Sequence, residues 1–270
     1  MPITTGDISR DCYNCNNRGP RIVAAAGNHT KYDPYDQVSH QIGAAMVLPG
    51  GTSRIHPINF AGVVGGDSYY LPFQNDGITS VSLPVTPVVG EPKFFFTIRL
   101  TACSIFLDAY QPAVGSYTTP FGADDQRQRI IISHANALAD YNLGIVGVNI
   151  GQNPAFFPAG AKAALNNYRN AMLATYPGTK VGLAALYKDN YNQAVNTELQ
   201  RLVAQGNTNV TYGTTTCVFG FHKPGGWEFY YQTWGGFDYT HHRRLLPAQQ
   251  VTGATDLHRH RVIECRRFFP

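Results

Sequence analysis

Cys103 and His134 are the residue types from which a thiol nucleophile and its base are made. Each stands at the edge of a short apolar run. Cys103 interrupts KFFFTIRLTACSIFLDA (93–109), and His134 ends RIIISH (129–134). A reactive thiolate needs a neighbouring cation, and the oxyanion formed on attack needs backbone N–H donors. The turn before the cysteine is Leu100-Thr101-Ala102, small enough for a substrate to approach the backbone. Alternation along a strand puts Phe94, Phe96, Ile98, Leu100 and Ala102 on one face, the expected core face. Phe95, Thr97, Arg99, Thr101 and Cys103 fall on the other. Two hydroxyls, a guanidinium and a thiol are an unusual set for an otherwise apolar segment.

The other cysteines make weaker cases. Cys217 lies five positions before His222, so on a regular strand the two point to opposite faces; a buried structural cysteine is expected there. Cys265 sits between Glu264 and Arg266, with histidines only in the basic tail beside it. Cys12 and Cys15 form a CxxC pair, but no second pair or HxxxH follows to complete four zinc ligands, so loop thiols are expected. No metal site and no cofactor are expected. The glycine pairs at 50–51 and 65–66 lack phosphate-loop context, and HExxH and GxSxG are absent. The adjacent carboxylates Asp124 and Asp125 fall in a polar loop and read as solvated rather than catalytic.

The elements that must position these residues come from composition and pattern. Of 270 residues, 14% are charged, against roughly 25% in an average domain. With 27 glycines, 17 prolines and 12% aromatics, the chain has the mix of turn-rich β-structure. Runs between Gln41 and Leu83, broken by Gly-Gly, Asn-Asp-Gly and Pro, predict consecutive strands. A further strand is expected over 143–150. Residues 108–128 read as a long loop joining the cysteine strand to the histidine strand. Helical spacing of Ala161, Leu165, Tyr168, Met172 and Tyr176 predicts a helix stopped by Pro177-Gly178. A second runs through Tyr191, Val195, Leu199, Leu202 and Val203, with Asp189 or Asn190 as cap and Gly206 past its end. A hairpin is expected over 210–222 and 227–234 around Lys223-Pro224-Gly225-Gly226, with a terminal edge strand over 261–269. The pattern predicts an irregular lead-in over 1–38 and one α+β domain over 39–270.

The net charge of +4 is concentrated in the tail, at His241-His242-Arg243-Arg244 and from His258 to Arg267. Such a tail either meets phosphates or acidic partners, or is the solvent face of a terminal strand. No nucleic-acid motif accompanies it. No apolar run has the length of a membrane helix and no apolar signal segment is evident, so reduced thiols are expected.

The segment around Cys103 resembles the active-site motif of the glutamine deamidases that include the chemoreceptor deamidase CheD, the catalytic domain of cytotoxic necrotizing factors and Burkholderia lethal factor. In that family a strand ends in a small-residue turn, a catalytic Cys follows, and a His lies on the next strand. Here LTAC stands where the family shows L-[GS]-[GS]-C, Thr97 lies six residues before Cys103, and IIISHA resembles the strand bearing the base. The likeness spans about residues 94–137.

The resemblance implies a central mixed or antiparallel β-sandwich flanked by helices. It implies catalysis by Cys103 and His134, with Thr97 holding the histidine. Thr101 and Ala102 would line the substrate's approach, and the 108–128 loop with Asp124 and Asp125 would form a lip that recognises the target. The expected activity is that of a protein-glutamine deamidase, with transglutamination when an amine replaces water. By the same resemblance the chain would be a monomeric secreted effector acting in a host cytosol. Its partner would be a host protein, a Rho-family GTPase or a translation factor, with no nucleic acid. Two other readings stay open on the residues alone. One is a cysteine protease or acyltransferase sharing Cys103 and His134. The other is a non-enzymatic binding module whose cysteine is core and whose basic tail does the binding.

Overall fold

The β-branched and aromatic runs of the sequence build two sheets that pack face to face. The computed structural model describes residues 28–29, 42–43, 68–71, 78–89, 91, 93–97, 100, 103–114, 127–135, 155, 157, 160–174, 176–242 and 254–269. Strands β1 (Asn28–His29) and β2 (Ile42–Gly43) form a small antiparallel pair. Strands β3 (Ser68–Leu71), β4 (Ile78–Pro84), β5 (Phe94–Thr97), β6 (Ser104–Pro112) and β7 (Arg129–Ala135) follow. Helix α1 (Ala161–Leu173), β8 (Gly178–Leu186), helix α2 (Lys188–Ala204), β9 (Thr208–Lys223), β10 (Gly226–His242) and β11 (Ala254–Phe269) complete the described elements. The larger sheet runs in the order β11-β10-β9-β5-β3 and the smaller in the order β4-β7-β6-β8. Every pairing in the two is antiparallel except β3 with β5. Strands dominate and helices are few, as fits an α+β or a mainly-β class.

One apolar interior holds the sheets together. The larger sheet contributes Tyr69, Leu71, Phe95, Val218, Trp227, Phe229 and Tyr231, and the smaller contributes Val81, Leu83, Ile105, Leu107, Ile130 and Ile132. At about 1.5–3 kcal/mol for each large apolar side chain buried, this layer outweighs any single polar contact in the fold. Helix α1 covers the opposite face of the smaller sheet, with Ala161 and Leu165 against Phe106 and Ala135. Helix α2 lays Val195, Leu199 and Leu202 on Phe237 and Tyr239 of β10. Both helices were expected, but α1 ends at Leu173, so Tyr176 lies beyond it and the stop comes before Pro177-Gly178. The start of α2 differs: Tyr187 is its N-cap, and Asn190 serves from inside the first turn by accepting the Tyr187 N–H at 2.9 Å. Gly206, at φ +78°, ends it as expected.

The β9–β10 hairpin also matches expectation but is longer. Lys223 pairs with Gly226, leaving Pro224-Gly225 as a two-residue loop. Gly225 sits at φ +111°, where L side chains are strained. The terminal strand begins at Ala254, seven residues before the expected start at 261, and lies at the sheet edge.

Three expectations are corrected. The core face of β5 is the one carrying Phe95 and Thr97, because Phe95 joins the interior between the sheets. Phe96 is buried on the opposite side. Ladder pairing of β5 stops at Thr97, so the period of two does not carry through to Leu100 and Cys103, and both of those join the same interior. The loop expected over 108–128 begins later, since β6 runs on to Pro112. Asp108 is 1% exposed and pairs with Arg169 of α1 through two nitrogens. Gly182, opposite Asp108 on β8, makes room for that guanidinium; a Cβ there would lie 2.8 Å from Arg169 Nη2. The strand expected over 143–150 lies outside the described residues, as do Cys12 and Cys15 of the lead-in.

Two stability outcomes follow from this packing. Gly220 of β9 pairs with Phe95 on β5 and with Phe229 on β10, and the two rings meet edge-on over it at 5.8 Å. A Cβ at 220 would lie 2.6 Å from Phe229 Cδ1, so Gly220→Ala should lower stability by about 1–3 kcal/mol in urea unfolding. Arg169→Leu leaves the Asp108 carboxylate buried alone, and should cost about 3–5 kcal/mol. Adding Asp108→Leu should recover most of that loss; a double variant no more stable than the single one would refute the charge-burial account.

Candidate active site

Cys103 lies where the chain crosses from one sheet to the other. Strand β5 belongs to the larger sheet and β6 to the smaller, and Leu100 and Cys103, the described residues between them, both join the shared interior. Midway, Leu100 makes a bridge to Thr216 of β9, with backbone hydrogen bonds of 2.6 and 3.1 Å in the two directions. Thr101 and Ala102 lie outside the described residues, as do Asp124 and Asp125.

The register of β6 and β7 brings Cys103 and His134 onto one face. Ser104 is opposite Ala135 and Ile105 is opposite His134. Cys103, two residues before Ile105, is therefore the diagonal neighbour of His134. Diagonal positions of an antiparallel pair are about 7–8 Å apart, within reach of longer side chains. Ile130 and Ile132 face the interior, and His134 continues their alternation. Cys103 is 5% exposed and His134 0%. Thr97 approaches the same interior from the larger sheet, following Phe95. Its Oγ1 accepts the Val218 N–H at 3.1 Å, a bond that does not use the hydroxyl's own proton. The three residues singled out as Cys, His and Thr are thus all buried on the side where the sheets face each other, Thr97 from β5, His134 from β7 and Cys103 from the residue just before β6.

Sequence reasoning missed Tyr191, on the first turn of α2. It donates its hydroxyl proton to the carbonyl oxygen of Cys103 at 3.0 Å. Tyr191 is wholly buried. Burial pushes its phenol well above the ordinary tyrosine range, and negative charge at Cys103 and at Asp189 acts in the same direction. The only signal in the sequence was its place in an apolar stripe, where core packing is the ordinary reading.

Cys217 is buried on the outer side of the larger sheet, while His222 faces inward, where its Nε2 meets the Val85 carbonyl at 3.2 Å. Cys103, Cys217 and Cys265 all carry thiols rather than disulfides. In the tail, Arg267 pairs with Glu228 at 3.2 Å and Arg259 lies 5.9 Å over the Tyr239 ring. A cleft of about 410 Å³ lies among the ends of β9, β10 and β11. Its polar groups bond one another, His258 to Asp238 and Thr240 to Asp256, and neither Cys103 nor His134 lines it. Among the described residues no group of three or more His, Cys, Asp or Glu is placed to hold a metal ion, and no helix is long and apolar enough to cross a membrane.

No family model matches the chain, and no curated protein matches it.

The buried phenol sets an alkaline limit on stability. The native state keeps the Tyr191 proton to higher pH than the unfolded chain, whose tyrosine titrates near 10. Above that pH the unfolded state binds fewer protons, so stability falls as pH rises. Tyr191→Phe should therefore flatten the alkaline limb of stability against pH, measured by urea unfolding between about pH 9 and 11.

Proposed function

We propose that the chain is a thiol hydrolase of the glutamine-deamidase kind, with Cys103 as nucleophile and His134 as its base. The observation that carries this reading is the β6–β7 register, which makes Cys103 and His134 diagonal neighbours on one sheet face. In the resembled family the same two residue types stand on consecutive strands after a small-residue turn. The full burial of Thr97, six residues before the cysteine, supports its assignment as the residue that orients His134.

In this mechanism His134 takes the Cys103 proton, and the thiolate Sγ attacks the carboxamide carbon of a glutamine side chain. Backbone N–H groups near Cys103 hold the oxyanion. The C–N bond breaks as His134 returns the proton to nitrogen, and ammonia leaves. Water, deprotonated by His134, then attacks the thioester; the C–S bond breaks, giving glutamate and the restored thiol. The proposed substrate is a protein glutamine, with a Rho-family GTPase as the first target to screen and a translation factor as the second. A Gln-to-Glu change would remove the side chain that orients water in GTP hydrolysis.

One observation favours a second reading. Cys103 and His134 are almost fully covered, and the core around them is apolar. A structural cysteine beside a core histidine, in a binding module, fits that burial. Thiol reactivity separates the two. On the deamidase reading, the alkylation rate of Cys103, followed by peptide mass spectrometry, should titrate well below the roughly 8.5 of a free thiol. His134→Ala should abolish that shift, with Cys217 and Cys265 as internal references. A Cys103 that titrates at the ordinary value, or ignores His134, sinks the enzymatic reading in favour of the structural one.

A further inference from the structure

The segment that carries Cys103 is held at both ends by one chain of buried hydrogen bonds. At its start, Leu100 and Thr216 exchange backbone bonds of 2.6 and 3.1 Å. Thr216 Oγ1 lies 2.9 Å from Thr233 Oγ1, and Thr233 Oγ1 donates to the carbonyl of Tyr191 at 2.9 Å. A hydroxyl has one proton, so Thr216 must be the donor to Thr233. At the far end, the Tyr191 hydroxyl donates to the Cys103 carbonyl at 3.0 Å. Leu100, Tyr191, Thr216 and Thr233 are all 0% exposed. The chain therefore runs from the larger sheet, through the first turn of α2, to the cysteine.

We propose that Tyr191 is the positioning residue for the Cys103 nucleophile: its hydroxyl fixes the peptide plane that follows the cysteine, and with it the direction in which the thiol leaves the backbone. This deepens the thiol-hydrolase reading and rests on it. A carbonyl held by a buried phenol cannot rotate without breaking that bond, and with the Leu100–Thr216 bridge three residues earlier it restrains the backbone from which the Cys103 side chain projects. Because Thr233 anchors the Tyr191 backbone, the hydroxyl is set from the sheet and not from α2 alone. The thiol is thereby held toward the face occupied by His134 and Thr97. Removing the hydroxyl removes that bond while the ring still fills its place in the core.

The test compares alkylation of the three thiols by iodoacetamide against pH in the full chain, for wild type, Tyr191→Phe and Thr233→Val. In Tyr191→Phe the apparent pKa of Cys103 should rise by about one unit, a roughly tenfold lower rate near neutral pH. Thr233→Val should move it the same way by a smaller amount. Cys217 and Cys265 should keep their wild-type profiles in both. A depressed Cys103 pKa in wild type that neither variant changes overturns the positioning role and leaves the thiol-hydrolase reading standing. An ordinary Cys103 pKa in wild type overturns both. Faster alkylation of all three thiols would mean that Tyr191 only supports the fold, and would also overturn the proposal. If Tyr191→Phe loses its native far-ultraviolet spectrum, the Thr233→Val profile decides.

Discussion

Everything in this fold depends on the apolar layer shared by the two sheets. The larger sheet could not bury Phe95, Trp227, Phe229 and Tyr231 without the Ile and Leu side chains of β6 and β7 facing it. The layer also explains why the chain must cross. Phe94 to Thr97 pair in one sheet and Ser104 to Pro112 in the other, and Leu100 and Cys103 between them are buried in the shared interior. Polar groups on such a crossing have to be satisfied within the protein. The bridge from Leu100 to Thr216 and the bond from Tyr191 to Cys103 do that.

The outer face of the smaller sheet solves a different problem. Ser80, Ser82, Asp108 and Arg129 are buried there, not in the layer between the sheets. The end of α1 and the chain just beyond it supply Arg169 and Tyr176 as partners for Asp108 and Ser80, and Arg129 Nη2 reaches the Ser82 carbonyl at 2.8 Å. These contacts tie the helix to the cysteine strand and to its neighbours. The interior face of the same strands is thereby left for apolar side chains, together with Cys103 and His134. Two faces of one sheet thus carry two kinds of interaction, and the proposed chemistry lies on the drier one.

Much of this was legible along the chain. Both helices were marked by apolar residues at helical spacing, and the second also by Gly206 past its end, whereas the first stops at Leu173, ahead of Pro177-Gly178. The long hairpin was marked by its Pro-Gly turn and by aromatic runs on either side. These signals are local, so they survive in the linear sequence. Cys103 and His134 were singled out by residue type and by their place at the edges of apolar runs. Asp108 was misread because a carboxylate before a Pro- and Gly-bearing stretch looks like the start of a loop. Its partner Arg169 lies sixty-one residues away on α1, and no local pattern announces such a pairing.

What the sequence by itself determined was the set of elements and the residue types able to do thiol chemistry, because backbone propensity and side-chain chemistry are local properties. What only the tertiary structure decided was which of those residues meet. The β6–β7 register turned Cys103 and His134 to one face; a slip of one residue would have turned them to opposite sides. The same packing brought Tyr191 from α2 onto the Cys103 carbonyl. Register and helix docking are set by how whole faces bury against each other, a sum over many distant side chains that no single stretch contains.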